Sequence, residues 1–87
     1  MILDVRTPEE IAEGHLEGAV FADFKSEDFR DKLQELDKAV DYVVHCRSGQ
    51  RSEKAVEIMT ELGFTGNLVN AGGLEDAAES TGLPIVK

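Results

Sequence analysis

The sequence has a single cysteine, no tryptophan and few basic residues, and each shortage argues against certain kinds of protein. The chain has only 9 lysines and arginines but 18 aspartates and glutamates, so its net charge is −9. Nucleic acids and anionic membrane surfaces would be repelled by this chain, and we expect neither as a partner. No apolar run approaches the roughly 20 residues that a membrane-spanning helix needs.

A lone cysteine, Cys46, excludes a disulfide within the chain. No secretory leader is apparent in the opening residues MILDVR, so we expect a reducing compartment and a cytoplasmic protein. Neither histidine has companions at the spacing of metal ligands. The histidines therefore indicate no metal site.

Short apolar segments alternate with helical patterns along the whole chain. This alternation is typical of an α/β fold, here a small parallel sheet with helices on both faces, in one domain spanning residues 1–87. The first helix is predicted from a capping box, in which Thr7 caps the helix and the Glu10 side chain accepts a hydrogen bond from the Thr7 amide. Gly14 is expected to end this helix. Ser26 is a candidate cap for the next helix, and Ser52 or a near neighbour is expected to cap the one after it. Strands are expected at 2–5, 19–22, 41–45, 67–70 and 83–86, and the other helices at 26–36, 52–63 and 74–81.

The cysteine falls where a β-branched strand gives way to a strong amphipathic helix. Cys46 thus lies at the carboxyl end of a strand, where open α/β sheets bind their ligands. Three features of the loop CRSGQRS favour a thiolate: the start of the helix, backbone amides around Gly49, and the charges of Arg47 and Arg51. The same groups suit a tetrahedral oxyanion. The residues alone indicate sulfur transfer or phosphoryl transfer through cysteine.

A simpler explanation exists for each candidate residue. A lone cysteine at a strand end is usually a small buried hydrophobic residue. The glycine, serine and two arginines close to Cys46 favour a functional role for it instead. Asp4 either lines the site or forms an ion pair, and Arg6 is interpreted as structural. His15 is expected to fix a turn. His45 precedes Cys46, so strand alternation points it to the opposite face and argues against a cysteine–histidine pair.

Five segments, in order along nearly the whole chain, resemble the motifs of rhodanese-like sulfurtransferase domains. The active-site loop of that family is similar to CRSGQRS. Its Asp-Val-Arg opening, Gly-His-x-x-Gly-Ala segment, Gly-Gly turn and Gly-Leu-Pro ending have counterparts here too. These counterparts are LDVRTPEE (3–10), GHLEGAV (14–20), AGG (71–73) and GLPIV (82–86).

The resemblance implies a sulfurtransferase that works through a persulfide on Cys46. Thiosulfate or another sulfane-sulfur donor would supply the sulfur, and cyanide, a small thiol or possible protein acceptors would remove it. No metal and no cofactor is implied. The substrate-binding residues expected on this basis are Arg47, Ser48, Gly49, Gln50, Arg51, Ser52 and Asp4.

Two alternatives remain from the sequence. A phosphatase or arsenate reductase is ranked lower, because the related phosphatases place arginine one position further from the cysteine, where this chain has Ser52. A non-catalytic binding or sulfur-delivery module is the other, because we expect the family's amino-terminal strand and helix to be absent. The tryptophan often found near the Gly-Gly turn is also missing, and acids there would repel anionic donors.

Overall fold

The protein folds into six strands and four helices, as seen in a computed structural model that describes residues 1–87. No helix in it is both long and apolar enough to cross a bilayer. The strands are β1 (Ile2–Asp4), β2 (His15–Leu16), β3 (Val20–Phe21), β4 (Tyr42–His45), β5 (Leu68–Asn70) and β6 (Ile85–Val86). The helices are α1 (Pro8–Glu13), α2 (Phe29–Gln34), α3 (Gln50–Glu61) and α4 (Leu74–Thr81).

Four strands form a parallel sheet in the order β3-β1-β4-β5. Parallel strands need crossover connections, and α2 and α3 supply two of them. Because the strands run in one direction, the carboxyl ends of β1, β4 and β5 meet at one edge of the sheet. The predicted α/β class with a parallel sheet is confirmed.

Both faces of the sheet are covered, which explains why the strand sequences are nearly continuously apolar. On one face, Leu3 and Val44 pack with Leu33 of α2 and Met59 of α3, all without exposed surface. On the other face, a smaller cluster includes Ile2, Leu16 and Ala77 of α4. Strand β4, which leads to Cys46, is therefore packed on both of its faces.

Local sequence signals place the first helix as predicted. Thr7 caps α1, and the amide of Thr7 donates to Glu10 Oε1 over 3.1 Å, which completes the capping box. Gly14 follows the helix as its cap. Leu74–Thr81 is also helical over the predicted range.

Two expected helix caps are wrong, and the strand predicted at the end of the chain forms outside the parallel sheet. Helix α2 begins at Phe29 after Asp28 instead of after Ser26, whose hydroxyl bonds the Asp28 side chain. Helix α3 begins at Gln50 after Gly49, so Ser52 lies inside its first turn and does not cap it. The last strand, β6, pairs antiparallel with the unpredicted strand β2 in a separate ribbon.

Candidate active site

Three chain segments meet around Cys46 at the carboxyl edge of the sheet. Cys46 directly follows β4, and its amide donates to the carbonyl of Gly72 over 3.0 Å. Gly72 belongs to the turn between β5 and α4, so the neighbouring strand is tied to the cysteine through the backbone. The loop of residues 46–52, whose last three residues form the first turn of α3, closes the site on the other side.

The loop bends back so that its amides face the sulfur. Gly49 makes this possible, because its φ of 95° lies in the left-handed region, which side-chain-bearing residues rarely adopt. Its N–H donates to Cys46 Sγ over 3.0 Å. The hydroxyl of Ser52, one turn further on, lies 3.5 Å from the same sulfur. The site thus holds hydrogen-bond donors aimed at one atom, as a thiolate requires.

These donors decide the charge of the thiol. Burial raises the pKa of Cys46, since a charge is poorly solvated there. Hydrogen bonds from the Ser52 side chain and from the amides of Ser52, Ser48 and Gly49 outweigh burial, so the pKa lies below its ordinary value. A lowered pKa raises the thiolate fraction at neutral pH, and the thiolate is the nucleophilic form.

Asn70 is a site residue that the sequence analysis did not single out. Its Oδ1 accepts from the Gly72 amide at 3.0 Å, and its Nδ2 donates to the Gly49 carbonyl at 3.1 Å. The same Oδ1 lies 2.6 Å from the Ser52 hydroxyl, whose single proton is shared between Asn70 and Cys46 Sγ. The side chain therefore links the loop, the first turn of α3 and the Gly72 turn. The sequence could have identified Asn70, because it lies at the carboxyl end of β5, the strand next to β4, where ligands of parallel sheets bind.

The thiol is covered in this conformation, since Cys46 has no exposed surface. The loop is packed closely under the turn at Gly72 and Gly73. A Cβ at Gly73 would lie 2.6 Å from the Arg47 carbonyl oxygen, so only glycine fits there.

The two loop arginines share one carboxylate, which belongs to Glu10 of α1. Arg51 forms a bidentate bridge to it, with distances of 2.9 and 3.1 Å. Arg47 is largely exposed, and its Nη1 lies 3.9 Å from Glu10 Oε2. The sequence analysis had not connected Glu10 with the two loop arginines. The carboxylate offsets part of the positive charge that the loop sequence suggested.

The bridge strongly favours ionised Glu10. Hydrogen bonds from Arg51 and Thr7 lower the pKa of Glu10 from 4.5 to about 2, against burial, which raises it. Because the folded-state pKa lies below the unfolded one, the bridge stabilises the fold fully above about pH 4.5. That contribution is lost as the pH falls from about 4.5 to about 2.

We therefore predict that Glu10→Gln lowers the free energy of unfolding by about 1–2 kcal/mol at pH 7, after allowance for solvent screening. The difference between wild type and variant should shrink through the acid range, because both side chains are then neutral. Urea unfolding at pH 7, 4 and 3 measures this. A difference that stays constant down to the lowest pH would contradict the assignment.

The remaining predicted residues lie in different environments. Ser48 and Gln50 are exposed on the loop, whereas Ser52 is buried. Asp4 has no exposed surface and is held by Arg6, whose Nη2 lies 2.8 Å from Asp4 Oδ2. Arg6 also donates to the Gly14 carbonyl at 2.6 Å, which fits its predicted structural role. Asp4 cannot contact a substrate without breaking these bonds.

Both histidines are placed as expected. His15 Nδ1 lies 3.4 Å from the carbonyl oxygen of Ile11, at the turn after α1. His45 is buried on the face opposite Cys46, and burial lowers the pKa of its ring. Its Nε2 lies 3.7 Å from Asp4 Oδ2, because Asp4 and His45 are register partners in the sheet. No group of three or more histidine, cysteine or acidic side chains is arranged to hold a metal ion.

Ser52 offers a direct test of how the loop tunes the thiol. In Ser52→Ala, the hydroxyl next to Sγ is lost, so we expect the pKa of Cys46 to rise. The reaction with iodoacetamide at pH 7 should slow by roughly tenfold, the effect of one hydrogen bond to a charged group. Thiolate absorbance across a pH titration measures the pKa. Ser80→Ala on α4 is the matched control, and an unchanged pKa in Ser52→Ala would contradict this role.

Fold and site together define an α/β domain in which loop amides at the end of a central parallel strand stabilise a single cysteine. The model of the rhodanese-like domain family matches residues 1–80. The chain therefore belongs to the rhodanese-like domain family, as the motifs predicted.

Named relatives agree with this assignment. Thiosulfate sulfurtransferase PspE of Escherichia coli is 38% identical over 98% of this chain and 77% of its own length. A sulfurtransferase of Allochromatium vinosum is 36% identical over 99% and 78%. A solved structure of a rhodanese with anions from E. coli superimposes with a TM-score of 0.78 at 37% identity, covering 99% of this chain and 95% of that one. The predicted activity class, sulfurtransferase, is confirmed.

Proposed function

We propose that this sulfurtransferase takes sulfane sulfur from thiosulfate or a similar donor and passes it to a thiophilic acceptor through a persulfide on Cys46. The observation that carries the proposal is the hydrogen bond from the Gly49 amide to Cys46 Sγ, at 3.0 Å. Together with the neighbouring donors it lowers the pKa of the thiol at the point where ligands of parallel α/β sheets bind.

The first half-reaction is an attack on a sulfur–sulfur bond. The Cys46 thiolate attacks the outer sulfur of thiosulfate, and a new sulfur–sulfur bond forms. The original bond breaks, and sulfite leaves with its electron pair. The cysteine then carries a persulfide whose negative charge lies on the added sulfur, so the total charge is unchanged. The loop amides that face Sγ are suited to stabilise that charge as well.

The second half-reaction regenerates the thiolate. Cyanide attacks the added sulfur and leaves as thiocyanate, or a thiol attacks it and leaves as a persulfide. In both cases the bond to Cys46 breaks, and its electron pair returns to Sγ. The residues proposed to bind donor and persulfide are Arg47, Ser48, Gly49, Gln50, Arg51 and Ser52. Asp4 is left out, because the Arg6 ion pair occupies it.

Mass spectrometry tests the first half-reaction. After incubation with thiosulfate, the protein should gain the mass of one sulfur atom, and peptide mapping should place it on Cys46. Added cyanide should remove that mass and release an equal amount of thiocyanate. Sulfur on no residue, together with no thiocyanate, would overturn the proposal. Phosphate release from an aryl phosphate would instead favour the phosphatase alternative, and we expect none.

A further inference from the structure

His45 is a buried histidine that the two half-reactions leave unused. Its side chain has no exposed surface, and burial lowers the pKa of the ring from 6.5, so the neutral ring predominates at pH 7. A neutral imidazole has one N–H and one bare nitrogen. Nε2 of this ring is buried and has no hydrogen-bond partner. Because a buried polar atom without a partner costs stability, the histidine needs an explanation beyond packing.

The hydrogen bond of the ring goes to the backbone of the nucleophile. His45 Nδ1 lies 3.4 Å from the carbonyl oxygen of Cys46. A carbonyl oxygen can only accept, so this contact is favourable when Nδ1 carries the proton. Nε2 lies 3.7 Å from Asp4 Oδ2, which is too far for a hydrogen bond. A proton on Nδ1 therefore satisfies the ring, whereas a proton on Nε2 would find no acceptor within reach.

The neighbouring ion pair explains why Asp4 does not draw the ring proton to Nε2. Arg6 donates to Asp4 Oδ1 from its backbone amide and from its Nε, each at 3.0 Å. To Oδ2 it donates from Nε at 3.1 Å and from Nη2 at 2.8 Å. Both carboxylate oxygens are therefore satisfied without His45, and the guanidinium balances their charge. The ring remains available to the Cys46 carbonyl.

Contact between the ring and this carbonyl also orients the next amide. The carbonyl of Cys46 and the N–H of Arg47 belong to one trans peptide unit, in which they point in opposite directions. Because His45 lies on the face opposite the Cys46 side chain, a carbonyl held by the ring turns the Arg47 N–H towards the side of the sulfur. No backbone carbonyl accepts from that N–H, so it can donate to a charged sulfur. The reverse orientation would bring the carbonyl oxygen to the sulfur and repel its charge.

We propose that His45 is a positioning residue for sulfur transfer. Its Nδ1–H holds the peptide between Cys46 and Arg47 in the orientation that turns the Arg47 amide, and not the Cys46 carbonyl, towards the sulfur. The ring acts through the backbone and does not contact the reacting atoms. This inference rests on the proposed function, because the oriented amide stabilises the charge of the thiolate and of the persulfide that it forms.

Two substitutions separate the roles of the two ring nitrogens. Asparagine places its amide nitrogen close to the position of Nδ1, whereas the longer glutamine places its own close to Nε2. His45→Asn therefore keeps a donor for the Cys46 carbonyl, and His45→Gln loses it. We expect His45→Gln to slow persulfide formation at saturating thiosulfate by about tenfold, the effect of one hydrogen bond to a charged group, and His45→Asn to stay within about threefold of wild type. Alkylation of Cys46 by iodoacetamide at pH 7 should follow the same order, and urea unfolding compares the stability of the two variants.

Nitrogen-15 chemical shifts of the ring test the premise in the wild-type protein. At pH 7 we expect a protonated Nδ1 and a bare Nε2 for His45, and the loss of these signals in His45→Gln assigns them. A proton on Nε2 alone would overturn the inference, as would equal rates of loading and alkylation in the two variants. Should neither variant fold, the chemical shifts decide. If wild type takes no sulfur from thiosulfate, the proposed function fails instead, and the alkylation rates and chemical shifts still test His45.

Discussion

Replacing Cys46 by serine is expected to abolish persulfide formation and to lower thiocyanate production by at least about 10³-fold. A serine hydroxyl is almost fully protonated at neutral pH and forms no stable bond to sulfane sulfur. The Gly49 amide can still donate to the serine oxygen, so the loop should keep its conformation. The change therefore removes the reacting atom and little else.

The fold should tolerate this change. Cys46 is buried within the main core cluster, and a hydroxyl there costs about 1 kcal/mol when it is hydrogen-bonded. Thiocyanate assays give the activity, and urea unfolding gives the stability of the same preparation. A folded Cys46→Ser protein with wild-type turnover would show that the sulfur is carried elsewhere.

Gly73→Ala is expected to damage both the fold and the site. The added Cβ would lie 2.6 Å from the carbonyl oxygen of Arg47, a distance that requires the backbone to move. Such overpacking costs about 2–3 kcal/mol. Because the displaced carbonyl belongs to the loop that faces Sγ, we expect sulfur transfer to fall by about 10²-fold even in the folded fraction.

Gly82→Ala provides the matched control for that substitution. Gly82 caps the same helix at its other end with φ 73°, and a Cβ there meets no atom within 4 Å. Only left-handed strain applies, so the cost should be about 1 kcal/mol with normal activity. Urea unfolding and single-turnover discharge of the persulfide measure both properties. Equal effects of the two substitutions would show that the close contact between turn and loop is unimportant.

The groups that stabilise the Cys46 thiolate in the structure are not the ones that the sequence led us to expect. Arg47 and Arg51 were expected to contribute full positive charges beside the sulfur. In the structure Glu10 binds Arg51 and lies close to Arg47, and the groups that lower the pKa of Cys46 are the amides of the loop and the Ser52 hydroxyl. Backbone donors have fixed positions, so they stabilise the charge without having to reorganise.

The sequence by itself determined the features that depend on neighbouring residues. The capping box of Thr7 and Glu10, the helical stripe that follows the loop, and the glycine at its bend are local signals. Apolar strands alternating with helices imply a parallel sheet, and that places Cys46 at its carboxyl edge. The order of the five motifs along the chain predicted the family and, with it, the class of reaction.

Only the tertiary structure decided which distant groups meet at the loop. Glu10 and Arg51 are 41 residues apart, and nothing local marks them as partners. Asn70 reaches the loop because β5 pairs with β4, and Asp4 is unavailable to substrate because packing encloses it with Arg6. Non-local pairings arise from how whole elements pack against one another. That is why the position of the nucleophile could be predicted from the chain, whereas the charge that surrounds it could not.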